Sequence, residues 1–232
     1  MKSDNLVLNG KEVEDNYGNE TSEVFGDNHI GTSLDTPLKE DAFELSDDEK
    51  MDKIESHFRE IMDVLGLDLK DDSLNGTPRR VAKMFVKEIF KGLNPDNMPS
   101  PTMFENKFGY NRMLVEKDIN IFSTCEHHFL PIYGKAHIAY ISSGQVIGLS
   151  KLNRIAQFYS KRPQVQERLT IQIANELRKM LKTDDVAVYI DAKHMCVHSR
   201  GVEDTNSSTV TSEFSGKFLE KAYQDEFFAA IR

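Results

Sequence analysis

The chain has two cysteines, Cys125 and Cys196, and each stands among histidines. The strings are Cys125-Glu126-His127-His128 and His194-Met195-Cys196-Val197-His198. Zinc favours thiolate and imidazole donors and needs three or four of them held tetrahedrally. A C-x-x-H loop lets a sulfur and a ring nitrogen reach one ion, so a fold that joins the two strings makes a metal site. On a strand, His194, Cys196 and His198 would share one face, because side chains alternate. Two buried apolar cysteines with incidental histidines are the alternative, since free cysteine is a common core residue. A disulfide is possible on count alone, but a reducing compartment disfavours it.

A structural zinc site closes with four protein ligands, whereas a catalytic one uses three and keeps a place for water. The surplus of histidines favours the open arrangement. Cys125, His128 and Cys196 as ligands would leave His127 and His194 for proton transfer near neutral pH. Thiolate donors also suit zinc better than magnesium or calcium.

Charge is unevenly placed. Residues 1–50 hold 14 Asp and Glu against 4 Lys and Arg, so the net charge of −9 belongs to the front of the chain. The remainder is close to neutral and does not oppose a local cationic site for an anionic substrate. Basic patches of the kind that bind nucleic acid are absent. Residues 1–45 are polar, aperiodic and poor in apolar side chains. Such a segment cannot offset its ordering entropy, and a disordered acidic tail is expected. Met1–Lys11 shows no secretory signal, and no run approaches the roughly 18 apolar residues of a membrane span. A cytoplasmic location is expected.

Order is expected from Ser46, where Ser46 and Glu49 form an S-x-x-E capping box ahead of Met51, Ile54, Phe58, Ile61 and Leu65 at helical spacing. Thr77 and Pro78 predict the cap and first turn of a second helix, ended by Gly92. Leu114–Phe122, Lys135–Ser142 and Val146–Ile147 read as strands. Gln164–Leu181 is a helix with Val165, Leu169, Ile173, Leu177 and Leu181 four apart. Val186, Val188 and Ile190 alternate as a further strand, Val210 lies in a short one, and Phe218–Ile231 is mostly helical. This order predicts an α+β fold with an antiparallel sheet.

Several cations cluster in sequence. Lys151 and Arg154 would face the same way on one helical turn. Arg79, Arg80 and Lys83 open the second helix, where free N–H groups also favour anions. Arg200 follows the second Cys/His string closely. Arginine grips phosphate bidentately and lysine adds a point charge. Each taken singly reads as a solvated surface cation; only their meeting at one site would change that. Gln166 and Glu167 start the long helix. A Glu there is ordinarily dipole-compatible decoration; its functional alternative is to accept hydrogen bonds from a bound ligand.

The strings CEHH at Cys125–His128, VIGLSKLNRI at Val146–Ile155, RPQVQERLT at Arg162–Thr170 and HMCVHSRGV at His194–Val202 closely resemble the GTP cyclohydrolase type I family. TPRRVAKM at Thr77–Met84 is similar to its helical segment, and the resemblance runs from about Ser46 to the C-terminus. It implies a tunnelling fold (T-fold): an antiparallel sheet with helices on one side and an N-terminal helical segment. It also implies assembly into a pentameric barrel, with two pentamers stacked as a homodecamer and active sites between subunits. The implied division is an acidic tail at 1–45, a helical segment at 46–95 and a catalytic domain at 96–232.

The implied reaction opens the imidazole ring of GTP, releases formate and forms 7,8-dihydroneopterin triphosphate, the first step of pterin and folate biosynthesis. Implied zinc ligands are Cys125, His128 and Cys196, with His127 and His194 as acid–base groups. Glu167, helped by Gln166, would anchor guanine. Ser150, Lys151, Arg154 and Arg200 would hold ribose and phosphates, with Arg80 and Lys83 from a neighbouring subunit. His198 stands where the family does not require histidine and is left outside the set.

Overall fold

The computed structural model describes residues 33–100 and 103–232. Helix α1 spans Asp47–Val64 and opens with the expected capping box. The Glu49 N–H donates to Ser46 Oγ at 3.3 Å, and Glu49 Oε2 accepts from the Ser46 N–H at 2.8 Å. Two otherwise orphaned backbone donors are satisfied reciprocally. Helix α2 spans Thr77–Lys83 and packs on α1. Its cap is Gly76, not Thr77, and Pro78 occupies the first turn.

The single second helix expected up to Gly92 is broken into three pieces. After Lys83 the backbone widens into a π-helical run, Met84–Ile89, followed by a 3-10 turn at Lys91–Leu93. Gly92 lies there against the body of the protein. Its N–H donates to Lys161 O at 2.9 Å, and a Cβ at that position would fall 2.1 Å from Phe158 O.

Strand β1 (Met103–Glu105) pairs with β4 (Gln145–Ile147) in a small sheet of two strands among the described residues. The main sheet comprises β2 (Met113–Cys125), β3 (Pro131–Ile141), β5 (Pro163–Gln164), β6 (Val186–His194) and β7 (Thr209–Phe214). Their order is β5-β2-β3-β6-β7, antiparallel except where β5 lies parallel to the end of β2. The β2–β3 register shifts between Glu116 and Ile119, a bulge carrying Asp118 in the left-handed region at φ 61°.

Period-two alternation sends Ile119, Ile121, Ile138, Tyr140, Val188 and Ile190 to one face. Helix α3 (Leu149–Ser160) covers that face with Leu152, Ile155 and Ala156. Helix α4 (Gln166–Leu181) adds Leu169, Ile173, Leu177 and Leu181, the predicted stripe. The α+β class and the antiparallel sheet match expectation, and α3 and α4 cover one side; the expectation of helices on one side holds for these two but not for the C-terminal helix. The C-terminal helix α6 (Lys221–Ile231) lies on the opposite face, where Phe218 and Phe227 pack against Ala139, Ile141 and Ala187.

The expected acidic tail falls mostly on residues 1–32, outside the described residues. Its last part, 33–45, is tied to the body: Ser33 O accepts from Arg168 Nε at 2.8 Å, and Asp35 Oδ1 accepts from Gln172 Nε2 at 3.0 Å. Buried polar groups on α4 need partners, and this stretch supplies them.

Candidate functional site

Strand β2 delivers Cys125 at its end, and the chain then makes a tight turn before β3. Cys125 N–H donates to Leu130 O at 2.8 Å, and Phe129 N–H to Cys125 O at 2.9 Å. Phe129 sits in the left-handed region at φ 54°, uncommon for a bulky side chain. Its ring is clamped by Phe90 and Phe85, at centroid distances of 5.1 and 6.4 Å. Aromatic packing from the N-terminal helical part thus helps hold the turn that carries His127 and His128.

The second string arrives along β6, where His194 is paired with Ile132 of β3. The strand ends at His194. Met195–His198 forms a short helical turn, α5, so the expected single face for His194, Cys196 and His198 is overturned. The helical turn carries Cys196 towards Cys125. His198 is buried and donates from Nε2 to Ser207 O at 2.9 Å.

Cys125, His128 and Cys196 offer one ligand atom each, and these atoms all lie within 4.8 Å of one another. Both cysteines are free thiols. Burial pushes the Cys196 thiol up, and the adjacent Cys125 sulfur adds to the effect. Two sulfurs and an imidazole at this spacing fit a soft, tetrahedral cation, and the cluster is a metal-binding candidate.

The other histidines stand beside the cluster. His127 Nδ1 lies 3.8 Å from Cys125 Sγ. Burial lowers the pKa of His194, while the Glu167 carboxylate opposes the shift. His194 Nε2 meets Gln166 Oε1 at 2.8 Å. The Gln166 amide nitrogen donates to Ile190 O, Thr209 O and Thr211 Oγ1 at 3.2, 2.8 and 3.1 Å. Gln166 is buried and fully committed, so it holds His194 rather than facing open space for a ligand. Glu167, next to it at the start of α4, is exposed.

Among the predicted cations only Arg200 touches the cluster, its Nη1 donating to His128 Nε2 at 2.8 Å. Arg79 is engaged by Asp52 and Glu55. Arg80 folds back onto Ser73 O and Thr77 Oγ1, and Lys83 is exposed on the same helix. Ser150, Lys151 and Arg154 lie on the first turns of α3, beside Asn153, which donates to Glu116 Oε1 at 3.0 Å. Glu116 and Cys125 are nine residues apart on β2, which is about 25–30 Å along an extended strand. The chain therefore does not bring Lys151 and Arg154 to its own cluster.

Sequence patterns missed one pair. Arg168 is buried and reaches Glu126, inside the CEHH string, with Nη1 to Oε2 at 2.5 Å and Nη2 to Oε1 at 3.2 Å. No local spacing signals the pair, because its two members lie 42 residues apart in sequence.

A family model described as GTP cyclohydrolase I matches residues 54–232. The chain belongs to the GTP cyclohydrolase I family. It is 59% identical over 207 residues to GTP cyclohydrolase 1 of Flavobacterium johnsoniae, covering 89% of this chain and 93% of that one. It is 52% identical over 200 residues to GTP cyclohydrolase 1 of Vibrio parahaemolyticus, covering 86% and 91%. The apo archaeosine synthase QueF-Like overlaps 51% of this chain and 97% of its own, at 14% identity and a TM-score of 0.36. That likeness is too distant to bear on the GTP cyclohydrolase I reading. Among the described residues no helix is long and apolar enough to cross a membrane.

Proposed function

We propose that the chain hydrolyses GTP at carbon 8 of the guanine ring, releasing formate and leaving 7,8-dihydroneopterin triphosphate. The observation that carries this reading is the meeting of Cys125, His128 and Cys196 within 4.8 Å, in a chain of the GTP cyclohydrolase I family. These three residues would hold zinc, and zinc so bound supplies an activated water near neutral pH. The reaction belongs at the head of pterin and folate synthesis, in the cytoplasm.

The side chains divide the remaining work. The carbonyls of Ile190 and Thr209 can only accept, so the Gln166 amide must point its NH2 at them and its oxygen at His194. His194 then donates from Nε2, and Nδ1 is the atom that gains and loses a proton. His194 protonates the purine imidazole ring, which makes carbon 8 electrophilic, and His127 shuttles protons as the ring opens. Glu167 accepts hydrogen bonds from the guanine amide edge. Gln166 serves guanine indirectly, as the residue that orients His194. Fixed donors of this kind act by positioning more than by affinity.

The triphosphate needs cations that one chain does not gather. Arg200 is already at the cluster. Arg80 folds back onto Ser73 O and Thr77 Oγ1 instead of onto the cluster, and Arg80 and Lys83 are assigned to the site of a neighbouring subunit. Ser150, Lys151 and Arg154 stand most of a strand length away and serve the site of a neighbouring copy. Sites shared between copies in this way make a homo-oligomer, a decamer of two stacked pentamers, part of the active form. Residues 46–95 form the helical segment and 96–232 the catalytic domain.

Incubation with GTP, with formate and the fluorescent oxidised pterin both measured, tests the proposal. Equimolar formate and pterin are expected. Phosphate release without formate would contradict it.

A further inference from the structure

Arg168 is 4% exposed, and all three of its nitrogens are bonded. Nη1 and Nη2 grip the two oxygens of Glu126, and Nε donates to Ser33 O at 2.8 Å. Burying a guanidinium is costly unless its charge is paired and its nitrogens are hydrogen-bonded, so a two-pronged carboxylate contact with a third bond from Nε is built rather than incidental. Its location is informative. Glu126 stands between Cys125, a candidate ligand, and His127, a candidate proton shuttle.

Glu126 is held by its backbone as well. Its N–H donates to Gln164 O on β5 at 3.0 Å. Gln164 donates from Nε2 to Gln172 Oε1 at 2.8 Å, and Gln172 reaches Asp35. Helix α4, strand β5 and the stretch at Ser33–Asp35 thus converge on one residue of the turn. That turn contains no glycine and carries Phe129 at positive φ, so its shape must be imposed from outside. A bidentate guanidinium fixes a carboxylate in plane and distance, which an ammonium does not.

We propose that Arg168 is a positioning residue: through Glu126 it sets the turn so that Cys125 and His128 meet Cys196 and His127 faces the substrate. The inference rests on the reading that this cluster holds zinc. Residues that orient ligands from behind characteristically change metal retention or turnover by about 10- to 100-fold when altered.

The test uses full-length Arg168→Lys, Glu126→Gln and the double variant. Three quantities are read: zinc transfer to a chromogenic chelator without denaturant, kcat and KM for GTP, and the thermal midpoint. Both single variants are expected to fold, to release zinc about 10- to 100-fold faster and to lose kcat with KM little changed. The double variant is expected to release zinc no faster than the worse single one, because both act through one contact. Wild-type zinc release and kcat in folded Arg168→Lys would overturn the assignment. So would a lowered midpoint alone, which marks a merely structural pair. A wild-type protein that binds no zinc would sink the underlying metal reading itself.

Discussion

His194 and Gln166 are locked into one orientation, the imidazole Nε2 facing the amide oxygen at 2.8 Å. The amide cannot turn over, because its nitrogen already serves Ile190 O, Thr209 O and Thr211 Oγ1. A neutral His194 keeps its proton on Nε2 and offers Nδ1 for exchange.

His194→Ala should retain zinc and lose about 10²–10⁴ in kcat, the usual share of a general acid or base. Gln166→Ala should retain zinc too, and lose kcat by less. Formate release and metal content measured on the same preparations check this. A metal-free His194→Ala would show that His194 is a ligand instead of the acid.

Cys196→Ser should empty the metal site and abolish formate release while leaving the oligomer assembled. Cys196 lies on a four-residue helical turn with its thiol pushed up by burial and by Cys125, not in the sheet. Metal analysis with size-exclusion chromatography separates the two effects. A full zinc complement in Cys196→Ser would remove Cys196 from the ligand set.

Local signals were legible where local physics decides. The Ser46–Glu49 capping box and the Leu169–Leu181 stripe formed as their spacing demands, because both are settled within a few turns, whereas Gln164 and Val165 at the expected start stay extended. The two Cys/His strings announced a cluster, and the chain brings it together. What failed was continuation. Alternation through His194, Cys196 and His198 looked like a strand, but β6 loses its partner after the Ile132–His194 pair and the backbone coils. The role of Gln166 depends on acceptors from β6 and β7, and that of Arg168 on Glu126 and Ser33. No window of sequence holds such partners together. Lys151 and Arg154 do share a helical turn as spaced, but their separation from the chain's own cluster depends on the length of β2, which no local window displays.

Shared sites lead to a complementation test. Arg154→Ala and Cys196→Ser should each be inactive or severely impaired alone. Mixed oligomers made by dissociation and reassembly should regain activity, since some sites draw both intact residues from different copies. For random pairing about one site in four is intact, a mixing estimate that assumes independent subunit choice. No recovery in verified mixed oligomers would place Arg154 at its own chain's cluster.

Gly134→Ala should destabilise the protein and perturb the site together. Its new Cβ would lie 2.1 Å from Asp191 O and 2.5 Å from Ala192 Cα, both backbone atoms of β6. The strands must part, at a cost of about 1–3 kcal/mol by analogy with overpacked cores. His194 is two residues beyond Ala192 on β6, so kcat should fall as well. Denaturant unfolding with kinetics checks both. Unchanged stability would mean that β6 gives way more easily than its pairing implies.

Zinc dependence of ring opening is the most direct measurement. Purified full-length protein is assayed for formate from GTP, stripped with a chelator, assayed again, and reloaded with zinc. One zinc per chain, loss of formate release on stripping and its return on reloading are expected, with Cys125→Ser and His128→Ala unable to reload. Full formate release from protein carrying no transition metal would contradict the assignment of Cys125, His128 and Cys196.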